Sequence, residues 1–259
     1  MRHWPPSRTS PIGAADIIFK AMLVPAVLLA VAACTREAEP RWLLRALPGE
    51  YPEIVYFVPT TSRAVAMTID DGLDPETTPL ILETLKAHGA SATFFVLSDS
   101  IAGREVLLQR ILYEGHEIGH HMTEDEVTVS LKPAAMAEKF HRAAQTLDAF
   151  APITWFRPGS GRYNDAVLEL TRARGYRIAL ASVAPLDTVI HNSARMAGFV
   201  ERMIEPGSVV VLHDVGERGR RTAETLKLLL PKLKERGYAV VSLSRLDALA
   251  GMDTSATEE

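Results

Sequence analysis

The sequence predicts an α/β fold in which mostly parallel strands close, or nearly close, into a barrel. Three observations predict it. From Ala64 onward strand and helix signals alternate. The strand segments are apolar on both faces, as in a sheet covered by helices on each side. Charged and titratable residues gather just past the strand segments, at the rim where parallel β/α barrels carry their chemistry.

The elements follow in order. Residues 64–69 form a strand, and Asp74 with Pro75 opens a helix that stops at Gly89, with Ile81, Leu82 and Leu85 as its apolar stripe. Residues 91–97 read as a buried strand, 104–114 as a helix stopped by Gly115, and 117–119 as a short strand. Residues 134–150 form an amphipathic helix with Met136, Phe140, Ala144 and Leu147 on one face. Then come strand 155–157, helix 165–174, strand 176–182, helix 194–204, strand 209–213, helix 222–236 and strand 238–243. Residues 250–259 read as a polar tail, and residues 34–62, with Pro40, Pro48, Pro52 and Pro59, as a tether and leading edge element.

Composition narrows the function classes. Hydrophobic residues make up 47% of the 259 and charged residues 23%, which suits a globular chain with room for one large domain or two small ones. A net charge of −4 shows no basic excess, so nucleic acid is not an expected partner. Residues 21–33 are a continuous apolar run after Arg2, Arg8 and Lys20, too short for a comfortable bilayer span and suited to a signal-peptide core. The run ends at Val31-Ala32-Ala33-Cys34, which resembles a bacterial lipobox, and Cys34 is the one cysteine in the sequence. Residues 1–33 are therefore expected to be a lipoprotein-type signal peptide. The exported protein would be lipid-anchored at Cys34 in the bacterial cell envelope; with a plain signal peptide or an uncleaved anchor, Cys34 would be incidental.

The most informative segment is Thr68-Ile69-Asp70-Asp71-Gly72. Two adjacent carboxylates ionise unequally unless a cation separates their roles, so one Asp binding a metal while the other acts as a base accounts for the pair. An ordinary Asp-Gly turn is the plain alternative. Four further segments weigh against that alternative: His120 and His121, Arg157, Asp187, and His213 with Asp214 follow later strands. Five strands, in order, thus deliver a charged or titratable group to one rim.

Over residues 63–249 the chain resembles the polysaccharide deacetylases with a NodB homology domain, carbohydrate esterase family 4. The resemblance rests on Thr68 to Gly72, on Gly115-His116-Glu117-Ile118-Gly119-His120-His121, on Phe156-Arg157-Pro158-Gly159-Ser160-Gly161, more weakly on Ser182 to Asp187, and on Val211-Leu212-His213-Asp214. It implies a distorted (β/α) barrel and a metal-dependent hydrolase that removes N- or O-linked acetyl groups from a polysaccharide or oligosaccharide. It implies Asp70 as general base oriented by Arg157, Asp71 and His121 as metal ligands, and His213 as general acid partnered by Asp187. Leu212 would line the acetate pocket, and Trp155 or Tyr163 would wall the methyl group. A backbone N–H from Gly159, Ser160 or Gly161 would face the oxyanion. The implied cofactor is a divalent metal, zinc first, with cobalt or another divalent ion in its place; the implied partner is an acetylated glycan.

The chain also departs from the family. Where a second metal-binding His is usual, the segment His121-Met122-Thr123-Glu124-Asp125 carries Asp125; Ala184 and Thr188 replace an Asp and a Trp. In one reading Asp125 takes the ligand place, because zinc accepts carboxylate oxygen and i,i+4 side chains can share a face. Glu124 or His120 could contribute instead. In another reading the metal is lost and a lipid-anchored glycan-binding relic remains. A hydrolase of a non-sugar amide would use the same site.

Overall fold

A computed structural model of the chain describes residues 51–185, 187 and 190–255; Cys34, the apolar run at 21–33 and residues 34–50 lie outside them. The strands are β1 (Ile54–Val55), β2 (Ala64–Asp71), β3 (Thr93–Val96), β4 (Glu117–His120), β5 (Trp155–Phe156), β6 (Arg177–Ala179), β7 (Val209–His213) and β8 (Ala239–Val241). The helices are α1 (Thr78–Ala87), α2 (Glu105–Tyr113), α3 (Pro133–Asp148), α4 (Asp165–Ala173), α5 (Ser193–Met203), α6 (Gly216–Glu235) and α7 (Leu243–Ser255). Among the described residues no helix is long and apolar enough to cross a membrane.

The sheet runs β1-β6-β5-β4-β3-β2-β7, with β8 paired to the start of β2, and every strand pair in it is parallel. The two ends of this order come back together. Val183, just past β6, bridges Val210 on β7, and Val211 N–H donates to Val183 O at 3.0 Å. The result is the nearly closed, distorted barrel expected from the alternating strands and helices.

The period of two along each strand sorts its side chains into two cores. On β2, Val65, Met67 and Ile69 face the helices and pack with Ile81, Leu82 and Leu85 of α1 and Leu226, Leu229 and Leu233 of α6. Ala64 and Ala66 face the barrel interior, which Phe95, Trp155, Ala179 and Val209 fill. Small residues on β2 leave room for the two large rings. The same alternation carries Thr68 and Asp70 inward at the upper end of β2.

Several boundaries differ from the sequence reading for identifiable reasons. Helix α1 begins at Thr78 rather than Pro75 because the Asp74 carboxylate closes a preceding turn, accepting from Glu76 N (2.8 Å) and Thr77 N (3.1 Å). Its other oxygen accepts from Gly216 N at 3.0 Å, so Asp74 also anchors the start of α6. Helix α6 starts six residues before the expected 222, opened by Gly216 at a φ of 51°. Helix α7 runs into the segment read as a polar tail. Leu243 and Leu246 of α7 are buried in the interior core, closing its lower end.

Candidate active site

The upper rim is built from the ends of β2, β4, β5 and β7. Asp70 on β2 and His213 on β7 are register partners, two residues above the inward pair Thr68 and Val211. Asp70 is 4% exposed and would be an expensive buried charge without a partner. Arg157 supplies one. Its Nη1 donates to Asp70 Oδ1 at 2.6 Å and to Thr68 Oγ1 at 2.8 Å, and its Nε donates to Ala179 O at 2.9 Å. The guanidinium also lies over the Phe95 ring, 4.1 Å from its centroid. Phe95 fits there because β4 carries Gly119 opposite, where a Cβ would fall 2.7 Å from the ring.

His213 is held in a matching way. Its Nδ1 lies 2.7 Å from Oδ2 of the buried Asp187, which leaves Nε2 directed elsewhere. Burial works against the charged imidazole, yet the Asp187 hydrogen bond and the charges of Asp70, Asp187 and Asp71 hold His213 above the ordinary histidine range. Thr222 Oγ1 donates to His213 O at 2.7 Å and fixes the strand end to α6.

Asp71 and His121 form the third part. His121 is one residue past β4 on the inward side, and its Nδ1 makes a 2.7 Å hydrogen bond with Arg157 O, so its Nε2 faces Asp71 Oδ1 at 3.5 Å. Burial opposes the Asp71 charge, but His121, then His213 and Arg218, keep that carboxyl below the usual range. Burial likewise opposes a charged His121, while Asp71 and Asp70 raise it. Asp71, Met122 and Ser160 all have positive φ (73°, 68° and 60°), backbone conformations that non-glycine residues rarely hold and that gather here on one rim.

The 3.5 Å spacing suits two ligands on one ion, since donors at about 2.0–2.2 Å and a tetrahedral angle stand roughly 3.4 Å apart. Among the described residues a third donor is missing. Asp125 is exposed, and no group of three His, Cys, Asp or Glu side chains among the described residues could hold a metal ion. The expectation that Asp125 completes a triad is therefore corrected. Glu124 and Glu126 on either side of it both bind Lys139 of α3, which ties the segment to α3. Nor does His120 substitute: it points into the helix-side core against Phe140 and Phe156. There its Nε2 bonds Phe140 O, its Nδ1 accepts from Met122 N, and burial lowers its pKa to about 4. The donors present are one protein ligand short of a catalytic zinc site.

Other expected site residues land elsewhere. Leu212 is fully buried on the helix-facing side of β7, and period two makes Val211 the residue that shares the inward face with His213. Trp155 is fully buried inside the barrel, its Nε1 donating to Ser244 Oγ at 2.8 Å, so it offers no surface to a ligand. The Gly159 N–H donates to Thr128 Oγ1 at 2.8 Å and the Gly161 N–H to Pro158 O at 2.9 Å, so neither amide is available to an oxyanion. Gly159 is required for packing, since a Cβ would lie 1.8 Å from Glu126 O. Ser160 is exposed at the turn, and Tyr163 is half-buried and interacts with Tyr56.

Asp214, expected at the rim with His213, is instead wholly buried: it accepts hydrogen bonds from Thr77 and Thr78 Oγ1 and is pushed up to about 6, chiefly by burial. Sequence reasoning missed one feature. Arg218, in the first turn of α6, reaches Asp71 Oδ2 with Nη2 at 3.6 Å. The basic run Arg218, Arg220, Arg221 directly after His213-Asp214 was the available signal.

Comparison with known proteins gives the family. The polysaccharide deacetylase family model matches residues 57–179. A peptidoglycan-N-acetylglucosamine deacetylase from Bacillus cereus is 30% identical over 197 residues, covering 74% of this chain and 92% of its own length. The solved peptidoglycan deacetylase PdaC from Bacillus subtilis superposes with a TM-score of 0.69 at 28% identity, covering 78% of this chain and 97% of its own. A wild-type family 4 pseudoenzyme from Bacillus anthracis superposes with a TM-score of 0.68 at 25% identity, covering 74% and 68%. The deacetylases of this family are metal-dependent hydrolases of amide bonds. The chain belongs to the polysaccharide deacetylase family, carbohydrate esterase family 4.

Proposed function

We propose that this protein hydrolyses acetyl groups from an acetylated glycan, with Asp70 as general base and His213 as general acid. One observation carries the reading: the two residues are register partners on adjacent strands, and each is held by its own counter-charge, Arg157 on Asp70 and Asp187 on His213. Arg157 occupies Asp70 Oδ1, which leaves the other oxygen to take a proton from water as the water oxygen bonds to the acyl carbon. The carbon–nitrogen bond then breaks, and His213 donates its Nε2 proton to the leaving amine, with Asp187 stabilising the imidazolium through Nδ1. The products are acetate and a free amino sugar. An O-linked acetyl group would leave as the alcohol by the same transfers.

The Bacillus cereus relative's name, a peptidoglycan-N-acetylglucosamine deacetylase, supports an N-acetylated cell-wall glycan as the substrate class. Lipid attachment at Cys34 would hold the protein in the cell envelope, beside such a glycan. Zinc remains the expected metal, with Asp71 and His121 as its donors. A second reading, glycan binding without hydrolysis, is favoured by the exposed Asp125 and by the Arg218 contact at Asp71. Acetate release from N-acetylglucosamine oligomers and acetylated xylan, assayed with the full chain after chelation and with zinc restored, separates the two. Acetate formed in either condition supports hydrolysis; glycan binding with no acetate in both supports the second reading.

A further inference from the structure

We propose that Arg218 is the resident cation of the Asp71 carboxylate and that it holds this chain's affinity for a divalent metal well below what Asp71 and His121 would otherwise give. Asp71 is 5% exposed, and each of its oxygens faces a different group: Oδ1 is 3.5 Å from His121 Nε2, and Oδ2 is 3.6 Å from Arg218 Nη2. In a metal centre built on Asp71 the carboxylate's charge would be met by the ion. Here a guanidinium meets it. Arginine cannot lose its proton in a protein, so this positive charge stays at every working pH.

The placement of Arg218 follows from how α6 begins. Gly216 N–H is held by Asp74 Oδ2 at 3.0 Å, and Arg220 pairs with Glu76, tying the first turn of α6 to the loop after β2. Gly219 lets the helix come close. A Cβ there would fall 2.4 Å from Thr77 Oγ1 and 2.8 Å from Asp214 Oδ1. With the backbone fixed on both sides, the residue before Gly219 is held over the end of β2. A divalent ion entering between Asp71 and His121 would meet a fixed like charge, and among the described residues it would find only two protein donors, because Asp125 is turned out to solvent. Missing ligand and added cation act in the same direction.

The inference concerns metal affinity alone, so it stands or falls independently of glycan hydrolysis. The test uses the full chain in detergent micelles, stripped with a chelator, then titrated with Co²⁺ followed by its visible absorption and with Zn²⁺ followed by calorimetry. R218A is expected to bind both ions at least about tenfold tighter than wild type, while R218K, which keeps a cation, stays close to wild type. Adding D71N to R218A should abolish the gain. Thermal melting gives a second readout: zinc should raise the Tm of R218A more than that of wild type. Equal or weaker binding by R218A, or no measurable binding by either protein, would overturn the proposal.

Discussion

Asp70 and His213 stand directly across from one another on β2 and β7, and each is fixed by an ion pair to a residue from a different part of the barrel. Parallel pairing places them side by side without any loop having to adopt a special shape. Arg157, from β5, and Asp187, from the segment after β6, then set their charges. The proposed base and acid are thus positioned by strands, the most rigid parts of the fold, and they share the rim with Asp71 and His121.

Removing the acid should slow the reaction without unfolding the protein. His213→Ala is expected to lower kcat by on the order of 10²–10⁴, with glycan KM little changed. The buried Asp187 loses its partner in this variant, so the melting temperature should fall, and the kinetics are compared well below the variant's melting transition. Steady-state kinetics on an N-acetylglucosamine oligomer check this; near-normal kcat would remove His213 from the acid role.

The pH profile should report Asp187. Despite burial, the Asp187 hydrogen bond and the neighbouring carboxylates raise His213 above its ordinary value, so the protonated acid persists to higher pH. The alkaline limb of kcat is then displaced upward. Asp187→Asn keeps a hydrogen-bonding side chain but removes the charge, and the limb should shift toward lower pH. An unmoved limb would show that a different group titrates there.

Arg157→Met leaves Asp70 as a buried carboxylate with no cation and removes the donors to Thr68 Oγ1 and Ala179 O. Breaking a buried pair in this way costs about 3–5 kcal/mol, so chemical denaturation should show a loss of that order. Arg157→Lys should recover only part of it, because a single ammonium cannot reach Asp70, Thr68 and Ala179 O in the guanidinium's geometry. Full stability in either variant would contradict the account of how Asp70 is held.

Much of this was legible in the sequence because strands have a strict period of two. The apolar run ending in Asp70-Asp71 located β2, and the order of polar residues past later strands located the rim. What the run of letters could not show was which of two neighbours faces inward. By pattern alone His120 and His121 are equivalent, and the family resemblance singled out His121; His121 is the one that reaches the rim, while His120 is consumed by the core around Phe140. Leu212 and Val211 exchange places for the same reason. Trp155 looks like a ligand wall until the interior is seen to need a large ring beside Ala64 and Ala66. Asp125 failed for a tertiary reason, since Lys139 is fourteen positions away in sequence yet binds both flanking glutamates. Arg218 was overlooked because Gly216 to Arg221 has no apolar periodicity to announce a helix; Asp74, from another element, is what starts it.

The central claim, that Asp70 is the base of a glycan deacetylase, is tested most directly by measuring acetate released from an N-acetylglucosamine oligomer by wild type and Asp70→Asn in parallel, with zinc supplied. The account predicts steady acetate production by wild type and its loss in Asp70→Asn, with both proteins folded and both binding the oligomer. Equal acetate from the two proteins, or none from wild type while it still binds the glycan, would contradict it.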